Sequence, residues 1–87
     1  MHYHVVENSP GCLPESDQTI CATRKDAEQA AASRARELRT DGWDVLGKAS
    51  DGYYFACRPL DSMEQVIEII RCTEARYDCL IPAQEVA

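Results

Sequence analysis

An 87-residue chain with 45% apolar residues can hold one hydrophobic core and is too short for two. Its net charge of -6 weighs against general nucleic-acid binding, which depends on Lys and Arg neutralising phosphates. No run approaches the ~18 apolar residues of a membrane helix, and the opening Met-His-Tyr-His-Val-Val-Glu lacks the basic and long apolar regions of a signal peptide, so a cytoplasmic location is expected.

Residues 2–7 (His-Tyr-His-Val-Val-Glu) are aromatic and β-branched and run into the turn residues Asn8-Ser9-Pro10-Gly11, which predicts a first strand. After a loop, Gln18-Thr19-Ile20-Cys21-Ala22 is expected to return beside it as a second strand. Thr23 with Asp26 three residues on is close to a capping box, and Ala27, Ala30, Ala31, Ala35 and Leu38 recur at three- and four-residue steps, so an amphipathic helix with a small-residue face follows. Gly42 stands where a left-handed residue ends such a helix.

Residues 43–49 and 53–58 read as a hairpin around Ser50-Asp51-Gly52. Alternation groups Trp43, Val45, Gly47 and Ala49, and it groups Tyr53, Phe55 and Cys57; the simplest register turns both sets toward the helix. Tyr54, Leu46 and Lys48 then point away, and Phe55→Ala would cost about 3–5 kcal/mol. Asp61 with Glu64, before Met63, Val66, Ile67 and Ile70 at i, i+3, i+4 and i+7, predicts a second helix over 62–72. Residues 77–81 are expected to form an edge strand or arm stopped by Pro82. The expected architecture is an α+β domain of order β-β-α-β-β-α spanning residues 1–82: a four-stranded, mainly antiparallel sheet, one helix on one face, and a frayed tail at 83–87.

Chemistry-bearing patterns are few. His2 and His4, two apart on a strand, share a face and could present two imidazoles to a metal, with Cys12, Cys21 or Cys57 completing the set. No Cys-x-x-Cys or Cys-x-x-His spacing accompanies them, so no metal and no cofactor is assigned. The five cysteines are odd in number, so they cannot all pair within the chain, and reduced, mostly buried thiols are expected. None lies in the helix N-terminal or Gly-rich context that activates a thiol, so no catalytic residue is assigned either. Residues 24–39 are the one basic stretch, and Arg34, Arg36 and Arg39 are the candidate nucleic-acid contacts; a solvated helix face balanced by Glu37 and Asp41 explains them more simply.

The sheet face away from the first helix is expected to carry His2, His4, Val6, Leu46 and Tyr54. That is too apolar for a bare surface unless the second helix or a partner covers it. Tyr54, Leu46, Val6 and His4 are therefore the candidate partner-binding residues, with Tyr54 as anchor and a homodimer among the possible assemblies.

The Ala- and Arg-rich run from Asp26 to Leu38, then Asp41-Gly42-Trp43 and Asp51-Gly52-Tyr53-Tyr54, resemble the small accessory proteins of actinobacterial phages and prophages. This resemblance implies a non-enzymatic protein that binds a host or phage protein inside the bacterium. The strand-strand-helix-strand-strand order is also similar to that of some phage inhibitors of CRISPR effectors. Two readings from other classes stand beside it: a zinc- or thiol-dependent enzyme using His2, His4 and a cysteine, and a weak nucleic-acid module using the three arginines.

Overall fold

A computed structural model describes residues 1–9 and 19–73. The elements are β1 (His2–Asn8), β2 (Thr19–Cys21), α1 (Arg24–Thr40), β3 (Asp44–Lys48), a 3₁₀ turn (Ala49–Asp51), β4 (Tyr53–Arg58) and β5 (Met63–Cys72). The strands form one five-stranded sheet of order β2-β1-β5-β4-β3, with every neighbouring pair antiparallel. The chain is thus α+β, as expected, with one helix among the described residues and one strand more than the sequence reading gave.

The predicted second helix over 62–72 is β5, the central strand. Its apolar positions fit a helical stripe, but Val66, Ile67, Ile69 and Ile70 are four β-branched residues within five, whose stiff side chains suit a pleated surface. A strand covered on both faces gives the same pattern: Ile67 and Ile69 point to α1, and Val66 and Ile70 point to the opposite side. Asp61, expected to cap the helix, closes the β4–β5 hairpin instead. Its Oδ1 accepts from the Met63 amide (3.2 Å) and from Arg58 Nε (2.9 Å), and Ser62 takes φ 60° in the turn. The order is therefore β-β-α-β-β-β over the described residues, replacing the four-stranded β-β-α-β-β-α expectation. The strand or arm predicted at 77–81 and the tail at 83–87 lie outside the described residues, as does most of the turn after Ser9.

α1 forms where and as its sequence dictates. The Thr23 hydroxyl accepts from the Asp26 amide (3.1 Å), Asp41 is the C-cap, and Gly42 follows at φ 93°. Ala27, Ala31, Ala35 and Leu38 are buried against Val5, Tyr54, Ala56 and Ile67, and alanines let the helix lie close on the sheet. The helix joins β2 at one edge of the sheet to β3 at the other, so it crosses the face.

The β3–β4 hairpin forms, but the face of β4 is inverted. Lys48 pairs with Tyr53, so the loop is the four residues 49–52, and each odd-numbered residue of β3 faces an even-numbered one of β4. Val45 therefore shares its side with Ala56, and Gly47 with Tyr54. Trp43, Val45 and Ala49 pack on the core as expected, whereas Tyr54 and Ala56, not Phe55 and Cys57, meet α1.

Candidate functional site

The sheet face opposite α1 carries His2, His4, Val6 and Asn8 from β1, Val66, Glu68, Ile70 and Cys72 from β5, Tyr53, Phe55 and Cys57 from β4, and Leu46 and Lys48 from β3. It has two dissimilar halves. Across β1 and β5 it is closed, with His2, His4, Val6, Val66 and Cys72 all buried. Across β4 and β3 it opens: Phe55 and Cys57 are half-buried, Tyr53 is 44% exposed and Leu46 is 71% exposed.

In the closed half, strand alternation places His2 and His4 on one side of β1, and the β1–β5 register sets Cys72 directly opposite His2. The rings stand 4.7 Å apart, centroid to centroid, and tilted by 53°. Their Nε2 atoms are 2.8 Å apart, so one imidazole donates and the other accepts. Nitrogen and sulfur ligand atoms of His2, His4 and Cys72 all lie within 4.8 Å of one another, the one such trio of His, Cys or acid side chains among the described residues. Two fully buried imidazoles beside a thiol are uncommon company for an apolar sheet face, since buried polar groups need partners.

Cys72 is the residue that the sequence reading missed as a companion of the histidines. Placed at the end of a helix it had no relation to β1, whereas β5 read as a strand would have brought it into register. Cys21 and Cys57, the candidates considered, lie elsewhere: Cys21 packs against the α1 core, and Cys57 pairs with Asp44 at the open end. Burial pushes the Cys21 thiol up, and the nearby Asp26 carboxylate adds to this, which keeps it protonated rather than activated. Cys12 and Cys79 lie outside the described residues.

The four expected partner-binding residues separate. Tyr54 faces α1 and is 5% exposed, so its assignment to the open face is corrected by the inverted register. Val6 and His4 are on the second face but buried in its closed half, and Leu46 is the one of the four on the open half. Leu46 pairs across the hairpin with Phe55, which pairs in turn with Val66, giving an apolar row. Asp44, Glu64, Glu68 and Lys48 flank this row on the same face, so its border is predominantly acidic.

Of the three arginines, Arg34 is engaged within the fold. Its Nε and Nη2 donate to the two Glu7 carboxylate oxygens (2.5 and 3.0 Å), and its Nη1 donates to Glu37 (3.1 Å), tying α1 to β1. Gln65 also donates to Glu7 (3.2 Å). Burial pushes the Glu7 carboxyl up, but the hydrogen bonds from Arg34 and Gln65 and the Arg34 charge outweigh it, so the group is held below its usual range. Arg39 donates to the Val45 carbonyl (3.3 Å), and Arg36 is exposed. The three therefore do not act as one free cationic patch. None of the described helices is long and apolar enough to cross a membrane. Compared with known protein families, curated proteins and solved structures, the chain matches none of them.

Proposed function

We propose that this is a non-catalytic domain that works by binding another protein through the open half of the second sheet face, and that it does so as a phage-type accessory protein in the bacterial cytoplasm. The phage and cytoplasmic parts rest on the sequence resemblance. The binding part rests on one observation: the Leu46–Phe55 row is an apolar strip on a face that α1 leaves open. Contiguous exposed apolar surface rimmed by charge is the usual character of an interaction site, and aromatic side chains supply most of the energy at such sites.

The rim narrows the partner. Asp44, Glu64 and Glu68 against the single Lys48 select an apolar surface with basic surroundings, and in a chain of net charge -6 the wider field steers the same way. The test is a photo-crosslinking amino acid placed at position 46 and, as control, at position 29 on the exposed side of α1, in the cells that express the protein. A protein adduct from position 46 that is absent from position 29 and lost in Phe55→Ser supports the proposal. Adducts equal at both positions, or none at position 46, would refute it.

A further inference from the structure

We propose that His2, His4 and Cys72 are ligands of a zinc ion that fastens β1 to β5. This stands independently of the open half of the face and of what binds there. In tetrahedral coordination at about 2.0–2.1 Å for Zn–N and 2.3 Å for Zn–S, nitrogen ligands lie about 3.3 Å apart and nitrogen and sulfur about 3.6 Å apart. Here the two Nε2 atoms are 2.8 Å apart and all three ligand atoms lie within 4.8 Å. Side-chain shifts of about an ångström, within the range of side-chain torsions, bring ligand atoms this close to those separations.

The donor chemistry agrees. Two imidazoles and a thiolate suit zinc, a borderline-soft ion, and do not suit magnesium or calcium, which prefer oxygen. These three side chains are 1%, 0% and 6% exposed, and with three protein ligands the fourth tetrahedral position falls to a water molecule. All three come from strands, which position ligands more rigidly than loops do. His2 and Cys72 are opposed in the β1–β5 register, so the ion would bridge the two strands at the end of the sheet where β1 begins and β5 ends. Zinc binding of this kind places ligand binding energy directly into folding stability.

The experiment uses the untagged 87-residue chain, reduced, stripped of metal and then titrated with zinc chloride and, separately, with cobalt chloride. One zinc per chain is expected, together with a rise in the thermal midpoint and, for cobalt, a thiolate-to-metal charge-transfer band. Cys72→Ser should abolish that band. His2→Ala and His4→Ala should each weaken binding by more than the ~10- to 100-fold that follows loss of an outer-shell partner. To separate binding from folding, far-UV circular dichroism of each metal-free variant is compared with that of metal-free wild type, and affinities are compared between proteins whose spectra agree. Failure of the wild-type chain to take up one zinc, or stoichiometric uptake with an unchanged charge-transfer band in folded Cys72→Ser, overturns the assignment.

Discussion

Replacing Tyr54 and Phe55 by alanine, one at a time, reads out which side of β4 meets α1. The residues are adjacent, aromatic and nearly equal in size, so propensity effects cancel and the difference reports burial. Tyr54 is almost fully buried among Val5, Ala56, Ile67 and the helix alanines. Its truncation leaves a cavity of most of an aromatic ring and should cost about 3–5 kcal/mol, as for other buried aromatic residues. Phe55 is half-buried on the open face. Full burial of such a side chain is worth about 1.5–3 kcal/mol, so Phe55→Ala should cost roughly 1 kcal/mol. Urea unfolding followed by far-UV circular dichroism measures both. With a slope near 1 kcal/mol/M for a domain of this size, the midpoint should fall by roughly 3 M or more for Tyr54→Ala and about 1 M for Phe55→Ala. Since the stability of so small a domain is only about 5 kcal/mol, Tyr54→Leu serves as the milder variant where Tyr54→Ala no longer folds. A larger loss for Phe55→Ala than for Tyr54→Ala would refute the register and return β4 to the opposite face.

Two further outcomes follow from single contacts. Gly47 has φ 121°, and a Cβ there would stand 2.4 Å from the Tyr53 carbonyl oxygen, so Gly47→Ala should destabilise by at least ~2 kcal/mol in the same unfolding assay. A neutral Gly47→Ala would contradict the backbone path of β3. Glu7→Gln should cost about 1 kcal/mol or less at neutral pH, because Arg34 is partly exposed and the ion pair is screened. The folded-state pKa of Glu7 is depressed, so the wild-type advantage is present above the ordinary carboxylate pKa and is lost as pH falls through the lowered value. Stability curves for the two proteins should therefore converge toward acid, and a gap that widened there would contradict the assignment.

Local signals proved sufficient for much of the fold. The Thr23 cap, the alanine face of α1, Gly42 beyond its end, the pairing of β2 with β1 and the existence of the β3–β4 hairpin all depend on residues close in sequence, and all are as the sequence implies. Two features were hidden, one because it depends on non-local pairing and the other because it depends on the length of one loop. The 63–70 stretch satisfies a helical stripe and a doubly covered strand equally well, and only its place between β1 and β4 decides between them. The face of β4 turns on whether the hairpin loop has an even or an odd number of residues, which Ser50-Asp51-Gly52 by itself does not fix. The candidate site inherits both errors. His2 and His4 were visible as a same-face pair, but Cys72 joins them only once β5 is a strand, and Tyr54 was placed on the wrong side by the parity of one loop.

The placement of β5 underlies the fold, the divided second face and the trio of His2, His4 and Cys72, and solution NMR tests it most directly. Extended chemical shifts over 63–72 are expected, with cross-strand nuclear Overhauser contacts linking His2 to Cys72 and His4 to Ile70. Helical i to i+3 contacts through that stretch, with none to β1, would contradict the account.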